Sequence, residues 1–160
     1  MLLSKFKNYF TNNILFESRS QWFFIFALLL FLMTHLCYIS VFNSQQNPNK
    51  KILPFALLLF GFGGTIFMLL KNNLGALLMP VTVYIWVILM MALFSYKRHG
   101  AVSRKSFYAV FIGALLFIIS NTLLALDKFY KPMPLAQLFM MAAYAAAQFL
   151  IVKGILLSKT

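Results

Sequence analysis

The chain has 160 residues, of which 62% are hydrophobic and only 10% are charged, and its mean hydropathy is +0.87. Soluble domains usually contain about 25% charged residues, so this composition excludes an ordinary soluble protein. The formal net charge is +12, but the bases lie between long apolar runs rather than in one patch. That distribution favours membrane topology over nucleic-acid binding. The one cysteine, Cys37, permits no internal disulfide and no cysteine-based metal site, and we expect neither a metal nor a cofactor.

The first 21 residues are basic and amphipathic. Lys5, Lys7 and Arg19 are interleaved with leucine, isoleucine and phenylalanine, a spacing typical of a helix that lies at the membrane surface. A cleaved signal peptide is the alternative interpretation. It is disfavoured because the apolar run begins too late, is too long and has no A-x-A site.

Five apolar runs follow, each close to the roughly 20 residues that a membrane-spanning helix requires. They predict an all-α, polytopic membrane bundle over residues 22–156, with helices at about 22–42, 52–70, 77–95, 107–126 and 135–156. Short polar connections between the runs indicate antiparallel neighbours. An odd number of spans places the termini on opposite sides. The dense basic cluster at 97–105 favours a cytoplasmic C-terminus, whereas the three N-terminal bases favour the opposite orientation.

Polar side chains inside the spans are candidate site residues, because lipid offers them no hydrogen-bond partners. His35 and Tyr38 share one face of the first span, and Tyr84 lies in the third. His35 is either an interhelical packing residue or a proton donor and acceptor near neutral pH.

The last two spans add a second set of polar candidates. Ser120 and Asn121 lie side by side in the fourth span, and Tyr144 and Gln148 are spaced i, i+4 on the fifth. Asn121 is expected to face inward, because its amide has both donors and an acceptor to satisfy. The apolar runs contain no Asp or Glu, which disfavours a pump or an ion-coupled transporter.

Four ordered segments resemble the YhhN family of membrane proteins, which includes the vertebrate lysoplasmalogenases. The matching segments are FLMTHLCYISVF (31–42), MPVTVYIWVILMMA (79–92), GALLFIISNTLLALDKF (113–129) and AAYAAAQFLIVKG (142–154). The resemblance implies a helical membrane fold and hydrolysis of the vinyl ether bond of lysoplasmalogens to a fatty aldehyde. Such chemistry requires an acid that protonates the enol ether and a group that directs water onto the resulting cation.

The chain departs from the family pattern at two points. The family has about eight helices, so about three N-terminal spans are expected to be missing, including one with an intramembrane G-D step. The family's S-D step is Ser120-Asn121 in this chain, and an amide cannot transfer a proton as a carboxylate does.

Three hypotheses therefore remain open. In the first, the chain hydrolyses a lysophospholipid, with His35 and Asn121 as catalytic residues and Tyr38, Tyr84, Ser120, Tyr144 and Gln148 lining the substrate cavity. In the second, the same cavity binds lipid without chemistry, or the bundle is purely structural. In the third, the chain is half of a dimeric transporter. The expected partners are membrane lipids and a lysophospholipid, with no nucleic acid, and the expected location is the bacterial inner membrane. The oligomeric state is left open.

Overall fold

The computed structural model describes the backbone of residues 2–158 and the side chains of residues 22–158. Within that part of the chain the structure is helical, with no strands. The helices are α1 (Leu2–Asn43), α2 (Leu53–Leu70), α3 (Leu78–Lys97), α4 (Arg104–Phe129) and α5 (Ala136–Leu156), and two short 3₁₀ turns precede α3. Five helices in this part of the chain are long and apolar enough to cross a membrane, so the predicted all-α membrane bundle is confirmed.

The chain divides into two compact units, Met1–Thr34 and His35–Thr160. In the first unit α1 is regular, and Thr34 Oγ1 donates a hydrogen bond to the Leu30 carbonyl at 3.0 Å. The predicted amphipathic face of residues 1–21 lies outside the described side chains and stays a prediction. The second unit contains all the other helices and the candidate site.

Polar turns set the ends of the helices in the second unit. The Ser103 hydroxyl accepts a hydrogen bond from the Ser106 backbone N–H at 3.3 Å and caps α4. Because of this cap, α4 begins three residues before the apolar run that starts at residue 107. At α5, Leu135 adopts a left-handed backbone with φ of 63°, which turns the chain from the proline-containing loop into the helix.

Among helices α2 to α5, the closest packing joins α4 to α5. A Cβ atom added at Gly113 would lie 2.9 Å from the Ala147 carbonyl oxygen, and one added at Gly154 would lie 2.9 Å from the Val110 backbone nitrogen. Small residues let the two backbones approach, as is common between helices in membranes. The Ser106 hydroxyl donates to the Gly154 carbonyl at 2.6 Å across this interface.

The contact between α2 and α3 is looser and consists of side chains. Gly63 is buried against the Leu89 side chain, whereas a Cβ atom at Gly61 or Gly64 would meet nothing within 4 Å. An apolar groove of about 220 Å³ lies between the two helices and includes Phe60 and Trp86 in its lining. The glycine-rich stretch of α2 therefore uses one of its three glycines for close packing.

Candidate functional site

Six of the seven predicted site residues form connected pairs of polar and aromatic contacts inside the second unit. We call this set the polar cluster; it consists of His35 and Tyr38 on α1, Tyr84 on α3, Asn121 on α4, and Tyr144 and Gln148 on α5. Four helices contribute to it, and α2 contributes none of its members. The helix periodicity explains the pairs on α1 and α5, because residues three or four apart share one face.

His35 lies at the aromatic side of the polar cluster and is fully buried, with 0% of its surface exposed. Its ring packs edge to face against Phe117 and Tyr84, with ring centroids 4.6 Å and 5.6 Å away. The Tyr84 ring on α3 and the Phe117 ring on α4 therefore cover two sides of the imidazole. It is the one buried side chain with a reference pKa near neutrality among the described residues.

Asn121 is oriented by two hydrogen bonds. Tyr84 donates its hydroxyl to Asn121 Oδ1 at 2.7 Å, and Asn121 Nδ2 donates to the Phe117 carbonyl at 2.8 Å. The first bond joins α3 to α4, and the second lies within α4. The amide is therefore fixed facing α3, as the sequence predicts for a costly polar group in a span.

Gln148 links the two remaining tyrosines. Tyr38 donates its hydroxyl to Gln148 Oε1, and Gln148 Nε2 donates to the Tyr144 hydroxyl at 3.4 Å. The Tyr144 ring packs against Phe117, with centroids 5.4 Å apart. This chain of bonds joins α1 to α5 and meets the His35 side of the cluster at Phe117.

Ser120 is separate from the polar cluster. Its side chain is buried, and its hydroxyl donates to the Met140 carbonyl at 2.9 Å, so it binds the α5 backbone. Adjacent helix positions are rotated by about 100°, which explains why Ser120 and Asn121 contact different helices. Its assignment to the substrate cavity stays a prediction.

Sequence reasoning missed Phe117, the fully buried ring that touches both His35 and Tyr144. Phe117 lies one helical turn before Asn121 and therefore on the same face of α4, and this spacing is the one sequence feature that could have indicated its position. A phenylalanine in a chain with 19 of them gives no other indication of a special position.

The chemistry available in the cluster follows from its side-chain types. Imidazole can transfer a proton, tyrosine hydroxyls and amides can hold water or an oxygen atom of a ligand, and aromatic rings favour a nearby cation. Asp127 lies at the far end of α4, where its carboxylate accepts the Met133 backbone N–H at 2.8 Å. Among the described residues, no three His, Cys, Asp or Glu side chains lie close enough together to hold a metal ion.

A second apolar depression, of about 310 Å³, lies where α4 meets the start of α5. Ile119, Leu123 and Phe139 contribute to its lining, together with Ala143, the neighbour of Tyr144. It offers a surface that suits a hydrocarbon chain and adjoins the helix that bears Tyr144 and Gln148.

Comparison with known proteins gives the family. The YhhN family profile matches residues 10–155. The chain is 35% identical over 137 residues to the lysoplasmalogenase TMEM86A of Bos taurus and to that of Homo sapiens, covering 83% of this chain and 55% of each relative. It is 29% identical over 129 residues to the lysoplasmalogenase TMEM86B of Homo sapiens, covering 80% of this chain and 52% of that relative.

The chain therefore spans about half the length of the curated relatives it matches. No solved structure matches it. A family profile that covers almost the whole sequence, five spans and relatives at 35% identity agree, and the chain is an integral membrane protein of the YhhN family.

Proposed function

We propose that the chain hydrolyses the vinyl ether bond of lysoplasmalogens or of related lysolipids at the polar cluster. The observation that carries this proposal is the fully buried His35 beside the Tyr84–Asn121 hydrogen bond. The names of the relatives support the substrate class. We further propose that the protein resides in the bacterial inner membrane, an expectation supported by its short loops and small size.

Protonation of the enol ether is the first step of the proposed reaction. The His35 imidazolium donates its proton to the vinyl carbon distal to the ether oxygen, which leaves an oxocarbenium centre. The rings of Phe117 and Tyr84 surround His35 and favour this cation through their π electrons. General acid catalysis of this kind typically contributes a factor of about 10² to 10⁴.

Water addition completes the reaction. A water molecule attacks the oxocarbenium carbon and returns a proton to His35, and the resulting hemiacetal breaks its bond to the glycerol oxygen. The products are a fatty aldehyde and a glycerophospho-base with a free hydroxyl, so one water molecule is consumed. Asn121, Tyr144 and Gln148 orient the water and the lipid oxygens through hydrogen bonds.

The test is aldehyde release from lysoplasmalogen by the protein purified in an uncharged detergent. We expect His35→Gln to lower the rate by about 10² or more, because glutamine fills similar space without transferring a proton. Cys37→Ala is the matched control, because Cys37 lies two residues away on α1 and is exposed. Full activity in a folded His35→Gln variant would contradict the proposed role of His35.

Asn121→Asp tests the position where the chain departs from the family. A protonated aspartate can keep both bonds of Asn121, accepting from Tyr84 and donating to the Phe117 carbonyl. It also adds a second proton-transfer group to the polar cluster, so we expect aldehyde release to rise by about tenfold. An unchanged rate in a folded variant would count against this account.

A second candidate function is the binding of a lysolipid without chemistry. It is favoured by Asn121, because its amide is held by two hydrogen bonds and cannot transfer a proton as a carboxylate does. The same assay separates the two. Measurable lysolipid binding by a folded wild-type protein that releases no aldehyde would favour the binding function and contradict hydrolysis.

A further inference from the structure

A buried arginine lies at the other end of the second unit, outside the polar cluster. Arg98 follows the last residue of α3, and 0% of its surface is exposed. Its Nε and Nη2 atoms donate to Gln45 Oε1 at 2.9 Å and 2.7 Å, and Nη2 also donates to the Ser106 hydroxyl at 3.0 Å. Gln45 lies in the turn after α1, and Ser106 lies in the first turn of α4, so the guanidinium joins three helix ends.

No carboxylate compensates this charge among the described residues. Asp127, the acid among them, is 21 residues beyond Ser106 on the same helix, a separation of about 32 Å. The acceptors of Arg98 are neutral oxygens. Within the part of the chain that the structure describes, the buried Nη1 atom has no hydrogen-bond partner.

A buried cation without a counter-ion is unfavourable, and fixed neutral acceptors offset that cost only in part. Burial lowers the pKa of the Arg98 guanidinium to about 10, so the group remains charged at neutral pH. A ligand anion would complete its hydrogen bonds and its charge balance together.

The surroundings of Arg98 are basic. Lys97 ends α3 and Arg104 begins α4, and Lys50 lies in the neighbouring loop with its ammonium 4.7 Å from the Tyr96 ring. That loop is tied to the end of α3, because the Asn47 backbone N–H donates to the Lys97 carbonyl at 2.9 Å. The whole helix end therefore attracts anions, and the guanidinium fork matches the oxygens of a phosphate in particular.

We propose that Arg98, with Gln45 and Ser106, is a binding site for a phosphate oxyanion, supplied by the phosphodiester of a lysolipid or by a free phosphate ion. Gln45 Oε1 accepts two of the guanidinium bonds and so stands in the position of one phosphate oxygen. Gln45 lies in a turn, and rotation of its side chain away from Arg98 opens the guanidinium to a ligand. The Ser106 hydroxyl accepts from Nη2 and donates to the Gly154 carbonyl, so it positions the guanidinium rather than binding the ligand itself.

A stack of rings connects this phosphate site to the polar cluster. The Arg98 guanidinium carbon lies 5.3 Å from the Phe42 ring centre, and Phe42 stacks on Tyr38 with centroids 6.1 Å apart. Tyr38 bonds Gln148 of the polar cluster. Ser106 and Phe117 lie eleven residues apart on α4, about 16 Å, which is longer than one glycerol unit. In the lipid form, which rests on the proposed function, Arg98 therefore holds the phosphodiester of a lysolipid before its vinyl ether moves to His35.

The test measures binding in dodecyl maltoside, a detergent without phosphate, at fixed ionic strength. The probes are lysophosphatidylcholine, inorganic phosphate, and a monoacylglycerol of the same chain length as a phosphate-free reference. We expect Arg98→Lys and Arg98→Gln to weaken binding of a phosphate-bearing probe by on the order of tenfold, and to leave monoacylglycerol binding unchanged. Arg104→Gln is the control for loss of charge alone, because Arg104 is exposed at the same end, and we expect it to weaken phosphate binding by less than about twofold.

Gln45→Glu separates an anion site from a merely structural arginine. A carboxylate at this position pairs with Arg98, so we expect the thermal midpoint to stay or rise while phosphate binding weakens by about tenfold. A structural role alone predicts the same rise without loss of phosphate binding. This variant also keeps the proposal testable where the Arg98 variants do not fold.

The outcomes decide both the site and its ligand. If the Arg98 and Gln45 variants lose affinity for lysophosphatidylcholine alone, the ligand is the lipid phosphodiester. If they lose affinity for inorganic phosphate alone, the ligand is the free ion. The proposal is overturned if folded Gln45→Glu binds both lysophosphatidylcholine and inorganic phosphate as the wild type does. It is also overturned if the wild-type protein binds neither phosphate-bearing probe more tightly than it binds monoacylglycerol. Lysophosphatidylcholine has no vinyl ether, so a failure to release aldehyde contradicts the hydrolytic function without affecting this result.

Discussion

The α4–α5 and α2–α3 interfaces join neighbouring helices by different means. In the α4–α5 interface, glycines bring one backbone against the other, and serine hydroxyls bond carbonyls across the gap. In the α2–α3 interface, Gly63 meets a leucine side chain and an apolar groove remains. Three members of the polar cluster lie on the tightly joined pair and none lies on α2. Asn121, Tyr144 and Gln148 therefore lie on two helices held in backbone contact, whereas the loose interface supplies Tyr84 from α3.

The largest expected effect comes from adding one methyl group to the tight interface. In Gly154→Ala the new Cβ lies 2.9 Å from the Val110 nitrogen and 3.0 Å from the Ser106 carbonyl oxygen, so the helices must separate. We expect a loss of about 3 kcal/mol in the free energy of unfolding, measured by denaturation in detergent. Gly64→Ala has the same helix-propensity gain but meets nothing within 4 Å, and should be neutral or stabilising.

Equal stability of the Gly154→Ala and Gly64→Ala proteins would show that α4 and α5 are not held by backbone contact. The same result would remove the physical basis for comparing the two interfaces.

A smaller effect is expected from Ser120→Ala, which removes the hydrogen bond to the Met140 carbonyl. Interhelical hydrogen bonds in membranes contribute about 0.6 kcal/mol on average, so we expect a loss of that order in unfolding free energy. Ser40→Ala is the control, because Ser40 is exposed on α1. Aldehyde release per folded protein should not change, and a fall of tenfold or more would return Ser120 to the substrate cavity.

The smallest effect is expected at the loose interface. In Gly63→Ala the added Cβ meets Leu89 through side-chain atoms alone. Leu89 can rotate to make room, and the helix-propensity gain of about 1 kcal/mol offsets the repacking, so the unfolding free energy should stay within about 0.5 kcal/mol. A loss comparable with that of Gly154→Ala would show that α2 is packed as tightly as α5.

The sequence predicts the membrane fold well because lipid imposes one strong rule. A span must be long and apolar, and each polar side chain within it must find a partner inside the protein. That rule selected the six members of the polar cluster and also Ser120. It could not predict that Tyr84 bonds Asn121, because the register between α3 and α4 depends on packing rather than on helical periodicity.

Arg98 shows the limit of the same reasoning. In the sequence it is one base in a basic connection, and its natural interpretation is a topology signal at the membrane surface. Its burial depends on the turn after α1, which brings Gln45 over the guanidinium. A contact 53 residues apart in the chain leaves no local pattern.

Because α4 is long, its tilt in the membrane depends on the thickness of the bilayer. Its 26 residues extend about 39 Å, whereas a typical hydrocarbon core is about 30 Å thick. The helix must therefore tilt or project into the headgroup layer, and the required tilt changes with lipid chain length. Ser106 in its first turn and Asn121 about two-thirds of the way along move by different amounts as α4 tilts. Membranes of different thickness would thus change the depths at which the proposed phosphate site and the polar cluster lie in the bilayer, without any change in sequence.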